Sequence, residues 1–385
     1  MKKITIVHPI DDLYGATKIL SYVVSALSRK ANVEVWYKKS HAGLSALLEG
    51  RNICTDRIIY KQVESIPVVH SRIISFSGLL SFLSDIIKFS KLVFCSRKNY
   101  KESIFYINTY AAGFVCLILH MYGFKNYIHC HENQSHKIEG RLLASLVRKY
   151  ADKIICVSNV VKKYTDGNNY TDKSIVLWNG IENLPKNYFL GKIRPPQNLK
   201  FAIVGRIMHE KGHWFLADAI KILRDAYGIT IKVDVYGDAP PNRIHLFNEY
   251  RDYIKRNELE ECLCLKGFVA DADLKILNYD VVLIPSQMSD PFPTTVIEGL
   301  RARRIVISTN HGGAAEIIDH KINGFLIEHN DAMKFALMLK DMVKGTYNLQ
   351  KIADAGRFFY ENNLMHKQFE AKILSLLIEE DNNAL

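Results

Sequence analysis

Two cations and two carboxylates stand out in the C-terminal half, three of them in loops that follow apolar runs and the fourth, Glu298, in the helix after one of those loops. Arg206 and Lys211 lie five positions apart in GRIMHEKG, and Asp290 and Glu298 lie eight apart in PSQMSDPFPTTVIEG. A guanidinium and an ammonium beside a helix start hold phosphate, because free amide N–H groups and the positive end of the helix dipole add to their charge. Carboxylates accept hydrogen bonds from vicinal hydroxyls. A ligand with both a phosphate part and many hydroxyls, such as a nucleotide sugar, suits the set. Taken singly, each has a plainer reading: Arg206 and Lys211 as surface charges on a turn, Asp290 as a cap, Glu298 as a dipole partner. Their convergence argues for a site.

The surrounding pattern says what positions them. Residues 281–318 read as strand, loop, helix, strand, loop, helix. Val281–Pro285 is a short apolar run, as in a buried parallel strand. Asp290, Pro291 and Pro293 mark a loop, and Thr294 is the expected cap of a helix with Glu298 in its first turn. Arg304–Ser308 is strand-like, Thr309–Gly313 is a loop, and Ala314 opens a second helix that carries Glu316. Two helix N-termini would then point the same way. Upstream, Leu199–Val204, Ile231–Tyr236 and Leu263–Lys266 are strands running into Gly205, Gly237 and Gly267, with helices over 213–227 and 242–257 between them. Helices over 331–345 and 364–380 end the chain.

The N-terminal half repeats the alternation. Lys3–His8 and Val33–Tyr37 are strands, with a helix over 16–29 between them that opens beside Gly15. That glycine is either a plain turn residue or a point of close approach to a ligand. Ser103–Asn108, Asn126–His131, Lys153–Val157 and Ile175–Leu177 are further strands. His131 and Glu132 fall at a strand's carboxyl end, where ligands sit in parallel sheets. His131 either touches a bound sugar or is a histidine satisfied by hydrogen bonds. A metal reading is weak, on the expectation that His129 and His131 face opposite sides of the strand. Residues 184–198 contain three prolines and a glycine, and are the expected linker. Strand–helix alternation in both halves predicts two doubly wound parallel α/β sheets with a ligand cleft between them.

Composition narrows the partners. The net charge of +11 is divided unevenly: residues 1–200 carry 29 Lys/Arg against 14 Asp/Glu, and residues 201–385 carry 22 against 26. The basic half suits an anionic lipid surface or phosphorylated lipid. Residues 73–101 join a long apolar run to Lys88, Lys91, Arg97, Lys98 and Lys101. That is either an amphipathic helix on a membrane surface or a buried helix with a basic turn after it. No recognition helix or stacking platform supports nucleic-acid binding. The seven cysteines are scattered, mostly in apolar runs, which argues for buried thiols in a reducing compartment. No secretory signal or membrane-spanning run is evident, and G-x-G-x-x-G is absent, which lowers the odds of a dinucleotide redox enzyme.

Several motifs in order resemble the family-4 retaining glycosyltransferases of GT-B fold. They are VGRIMHEKG, VYGDAP, LKGFV, PSQMSDPFPTTVIEG and STNHGGAAEII in the C-terminal half, with fainter likeness in YADKIICVS and LWNGIE. The resemblance implies two Rossmann-like domains facing a deep cleft: an acceptor domain over 1–190, and a donor domain over 191–363. The last helix, about 364–382, would return to the first domain. It also implies that Arg206 and Lys211 hold the donor diphosphate, Glu298 the ribose, and Asp290 the transferred sugar. The amides of Phe292, Thr294 and Thr295 would meet phosphate or sugar beside Pro293, while Gly267, Phe268 and Val269 lie by the base. Gly15, Gly205 and Gly237 would admit the ligand, Gly312 and Gly313 would let the chain approach it closely, and His131 would join the catalytic set.

The family further implies a UDP- or GDP-sugar donor, no metal and no cofactor. The acceptor would be a hydroxyl of a growing, lipid-linked glycan of lipopolysaccharide or capsule type. On the charge and cysteine pattern, and not on the family, the enzyme is expected to be cytoplasmic, with its basic N-terminal half in peripheral contact with anionic lipid at the inner face of the plasma membrane. Asp290 stands where the family usually has Glu, and Pro291–Phe292–Pro293 where it often has Gly-Phe-Gly. These departures bear on the choice of sugar. A nucleotide-sugar epimerase, a phosphorylase on the same fold and a non-catalytic glycan- or lipid-binding subunit are the alternatives.

Overall fold

A computed structural model describes residues 1–385 except 12–14, 50, 52, 70–74, 133–137, 168–171, 270 and 380–385. Part of the loop expected over Pro9–Gly15, the first residues of the 73–101 run and the end of the last helix lie outside the described residues. The chain divides into two compact units, one of Met1–Gly180 with His366–Leu385 and one of Ile181–Met365.

The first unit is built on a parallel sheet of seven strands: β1 (Lys3–His8), β2 (Asn32–Tyr37), β3 (Ile58–Gln62), β4 (Ser103–Ile107), β5 (Asn126–Cys130), β6 (Lys153–Cys156) and β7 (Ser174–Val176). Their order is β3-β2-β1-β4-β5-β6-β7. The strands are apolar on both faces because helices cover both; Ile4, Ile6, Val35, Tyr106 and Ile128 are all fully buried. Strand order reverses between β1 and β4, which pair from Lys3↔Ser103 to Val7↔Ile107. Such a reversal leaves a crevice at the carboxyl ends, because the following connections leave in opposite directions. The chain returns to this unit at its end. Arg29 pairs with Glu370, Lys2 Nζ donates to the Ile378 carbonyl at 2.7 Å, and Phe369 is buried facing the His129 ring.

The second unit has six parallel strands: β8 (Phe201–Val204), β9 (Val233–Tyr236), β10 (Leu263–Gly267), β11 (Val281–Ile284), β12 (Ile305–Thr309) and β13 (Phe325–Ile327). Their order is β10-β9-β8-β11-β12-β13, with the reversal between β8 and β11. β13 and the Leu349–Asn363 helix had no counterpart in the sequence reading. Three apolar residues are too short a run to register as a strand, and Leu349–Asn363 is interrupted by polar residues at its centre.

Residues 184–198 belong to the second unit and are not the boundary. Pro and Gly spacing misled because this stretch is tied down by polar contacts. Asp280, fully buried, accepts from the Arg194 amide at 3.0 Å, from Arg194 Nη1 at 2.8 Å and from the Lys200 amide at 2.8 Å, and Gln350 accepts from the Ile193 amide. The break falls instead between Gly180 and Ile181.

Candidate functional site

The site residues of the second unit gather at the carboxyl ends of β8, β9, β10 and β11. The loops after β8, β9 and β10 are laced by backbone bonds: the Gly205 amide donates to Tyr236 O at 2.9 Å, the Gly237 amide to Gly267 O at 2.8 Å and the Ile207 amide to Asp238 O at 3.0 Å. Gly237 has φ +143°, and a Cβ there would lie 2.0 Å from the Gly205 carbonyl oxygen. Only glycine permits this approach. These glycines therefore fit loops to one another, and that fit presents Arg206, an exposed side chain, at the sheet edge.

Lys211 comes from the same loop. Gly212 follows it at φ +79° and caps the His213–Tyr227 helix, and a Cβ on it would strike Pro285 O at 1.8 Å. The loops after β8 and β11 are thus in backbone contact across the strand-order reversal. The Glu210 carbonyl reinforces the join by accepting from the Gln287 amide at 2.9 Å. Across it, Lys211 Nζ meets Asp290 Oδ2 at 2.5 Å, with both side chains partly exposed. This cation–carboxylate pair is the polar centre of the unit.

The Thr294–Arg301 helix starts beside it. Pro293, not Thr294, is the N-cap, at φ −70°, and no side chain caps the helix. Proline supplies a fixed φ where the chain turns into the helix; the Val296 amide donates back to the Pro293 carbonyl at 3.1 Å, while the helix offers no acceptor to the Thr294 and Thr295 amides before it. Glu298 lies in the second turn rather than the first, 7% exposed, and has polar interactions of its own. The second helix expected at Ala314 is only a 3₁₀ turn, Gly312–Glu316.

Gly312 and Gly313 have a different task from the one the resemblance implied. A Cβ on Gly312 would lie 2.4 Å from Asp290 O, and one on Gly313 2.2 Å from Pro291 O, while the Gly313 amide donates to Asp290 O at 2.9 Å. They admit the chain's own Asp290–Phe292 loop. Phe292 is buried under this contact, and Pro293 is buried after it. Phe268 follows the left-handed Gly267 (φ +71°) and stands 65% exposed beside Val269, its amide donating to Asp238 at 3.3 Å. An exposed aromatic face at a sheet's carboxyl edge can stack on a base.

In the first unit, polar groups cluster at the ends of β1, β4 and β5. His131 Nε2 lies 3.2 Å from Asn108 Oδ1, and Asn108 Nδ2 lies 3.4 Å from His8 Nδ1. Glu132 accepts from Thr109 Oγ1 and, at 2.9 Å, from the Tyr110 amide. Burial raises the Glu132 carboxyl above its usual value despite these donors. Burial, with His8 nearby, pushes His131 down to about 3, so its ring is neutral near pH 7. His129 and His131 do not face opposite sides: their ring centroids are 4.0 Å apart. Residues two apart in a strand share a face, so the expectation misapplied the alternation. His129 is fully buried with Nδ1 2.5 Å from the Tyr106 hydroxyl, and burial holds it well below the ordinary histidine range.

Gly15 opens the Gly15–Ser28 helix with nothing within 4 Å of its would-be Cβ, so packing does not demand glycine there. Asn108 and Thr109 went unnoticed in the sequence, although their place directly after β4, beside the reversal, would have marked them. Asp238, directly after Gly237, went unnoticed for the same reason.

Residues 191–381 match the family Glycosyl transferases group 1. An uncharacterized glycosyltransferase of Methanocaldococcus jannaschii, MJ1178, is 27% identical over 225 residues, 58% of each chain. The capsular polysaccharide biosynthesis glycosyltransferase CapH of Staphylococcus aureus is 23% identical over 252 residues, 64% of this chain and 60% of CapH. The alignments thus span less than two thirds of these relatives. Anabaena Alr3699/HepE, solved in complex with UDP, superposes with a TM-score of 0.77 over the whole of both chains at 19% identity. The two Rossmann-like sheets are those of the GT-B fold, and the C-terminal half of the chain carries a Glycosyl transferases group 1 domain.

Proposed function

We propose that the protein transfers a sugar from a nucleoside diphosphate sugar to a hydroxyl of a growing, lipid-linked glycan of the cell surface, with retention of configuration and without a metal ion. The observation that carries this is the Lys211–Asp290 pair, 2.5 Å apart at the start of the Thr294–Arg301 helix. It sets a cation for the diphosphate next to a carboxylate for sugar hydroxyls. CapH acts in capsular polysaccharide biosynthesis, and HepE has been solved with UDP-glucose, so polysaccharide assembly and a UDP-type donor are the natural starting points.

In this reading Arg206, Lys211 and the first-turn amides take up the charge that develops as the bond between the anomeric carbon and the phosphate oxygen breaks. The diphosphate leaves with the electron pair. The acceptor hydroxyl attacks from the same face and passes its proton to the departing phosphate oxygen, giving the glycoside and the nucleoside diphosphate. Asp290 holds hydroxyls of the sugar in place, Glu298 the ribose, and Phe268 and Val269 the base. His131, neutral at working pH, offers a hydrogen-bonding ring and no charge.

The test is turnover with a panel of UDP- and GDP-sugars, with and without a lipid-linked glycan acceptor and in the presence of EDTA. The proposal expects nucleoside diphosphate release that requires acceptor and survives EDTA, and an axial or equatorial product linkage matching that of the donor by NMR. An isomerised sugar from donor alone would point to an epimerase, and phosphate-dependent release without nucleotide to a phosphorylase. Binding without turnover across a broad panel would make the chain a non-catalytic subunit.

A further inference from the structure

The Phe76–Ser96 helix is apolar on two sides. One side is core: Phe82, Phe89 and Val93 are buried, Phe89 edge-on to Trp36 at 6.0 Å and Phe82 edge-on to Phe114 at 5.1 Å. The other side faces water. Phe76, Leu79, Leu80, Leu83, Ile87 and Phe94 are 43–79% exposed. At 3.6 residues per turn they fall in one stripe roughly 100° wide, along the length of the helix. Single exposed hydrophobics are ordinary, but an aligned set of this size marks a contact surface. The patch continues onto the next helix, whose Met121 is 65% exposed and whose neighbour Tyr122 meets Ser90 Oγ at 2.9 Å.

The stripe has a cationic margin. Lys88 and Lys91 are exposed on one flank, and Arg97 and Lys98 are exposed past its end, with the Arg97 guanidinium 4.5 Å from the Phe94 ring centroid. The one carboxylate in the helix, Asp85, is paired with Lys38 at 2.7 Å. Apolar ridge and basic rim together are the surface that an interfacial helix presents to lipid. No described helix is long and apolar enough to cross a membrane, so a helix of this kind lies on one.

We propose that this face docks on an anionic lipid bilayer. Leu80, Leu83 and Ile87 enter the boundary between headgroups and acyl chains, and Lys88, Lys91 and Lys98 sit at the level of the lipid phosphates. The charge decides against a second copy of the chain as the occupant, since two such rims brought together would repel, while an anionic surface complements them. The inference rests on this surface alone and not on the donor chemistry.

The test is flotation of the full chain with vesicles of phosphatidylcholine alone and of phosphatidylcholine with phosphatidylglycerol, in the absence of any nucleotide sugar. Binding is expected to the anionic vesicles and to weaken as salt is added. Lys88→Gln and Lys91→Gln should each reduce partitioning about five-fold, and the double variant Leu83→Ser, Ile87→Ser should remove it. All these positions are exposed, so unchanged thermal melting and far-UV circular dichroism would show that the fold is intact. No binding of the wild type to anionic vesicles would overturn the proposal, and so would variants that bind as well as it does. A concentration-dependent dimer, abolished by Leu83→Ser with Ile87→Ser while vesicles are ignored, would assign the face to a second copy instead.

Discussion

Gly313→Ala tests whether the loop after β12 really braces Asp290. A Cβ at this position lies 2.2 Å from the Pro291 carbonyl oxygen, 2.8 Å from Phe292 Cδ2 and 2.9 Å from Phe292 Cα. Two of the three atoms are backbone, so no rotamer change relieves the clash. Comfortable contact needs about 3.5 Å, so the Asp290–Phe292 loop must retreat by about 1 Å. The 2.9 Å bond from the Gly313 amide to Asp290 O would stretch, at about 1 kcal/mol. Overpacking adds about 1–3 kcal/mol, for a loss of about 2–4 kcal/mol in all. The same movement draws Asp290 away from Lys211, and a displacement of that size costs about 10²-fold in turnover.

Gly228→Ala is the matched control. It sits at φ +63° past the His213–Tyr227 helix, with nothing within 4 Å of the new methyl. It should cost about 1 kcal/mol of backbone strain and leave turnover alone. Urea unfolding and steady-state transfer by both variants and the wild type make the comparison. Wild-type turnover by Gly313→Ala, or a stability loss no greater than that of Gly228→Ala, would refute the bracing argument.

Three further outcomes follow from the buried polar groups and the exposed aromatic. Burial holds His213 down at about 4, His131 at about 3 and His129 well below the ordinary range. The unfolded chain protonates these rings from about pH 6.5 downward while the folded chain does not until the lowered values. Urea melts should therefore show stability falling below about pH 6.5, by up to about 1.4 kcal/mol per pH unit for each ring; a flat profile down to about pH 5 would contradict this. Asp280→Ala leaves the Arg194 and Lys200 amides without their acceptor and should cost about 2–4 kcal/mol by denaturant unfolding; a loss under about 1 kcal/mol would be evidence against its role. Phe268→Ala should raise the donor KM by about ten-fold at most, the worth of one aromatic contact, with kcat little changed; an unaltered KM would remove it from the base site.

Much of the second unit was legible because several of its strands are short apolar runs that end in glycines, and because Arg206, Lys211 and Asp290 fall in the loops that follow, with Glu298 in the helix after the last of them. Parallel sheets place such loops on one edge, and of these four side chains Lys211 and Asp290 meet there. What the glycines do was not legible. Gly237, Gly212, Gly312 and Gly313 fit loop to loop, and that contact depends on which strands are neighbours. Thr294 looked like a cap because threonine favours that position, yet Pro293 takes it, since its fixed φ already turns the chain. The boundary was misplaced because Pro195 and Pro196 punctuate a segment that the buried Asp280 anchors, a contact 86 residues distant in sequence from Arg194. In the first unit, strand ends marked His131, but its partner Asn108 comes from the neighbouring strand, and pairing of β4 with β5 was not written in either segment.

The most direct test of the central claim is calorimetric binding of UDP and GDP to the wild type and to Lys211→Met and Glu298→Gln. Asp290 is paired with Lys211 in the second unit and Glu298 lies in the helix that begins beside them. The account predicts that one of the two nucleotides binds the wild type and, at about 100 times its Kd, stabilises it by about 2.7 kcal/mol. It also predicts that each variant keeps its fold by circular dichroism while losing at least about ten-fold in affinity. A wild type that binds neither nucleotide, or variants that bind as tightly as it does, would contradict the assignment of these loops to the donor.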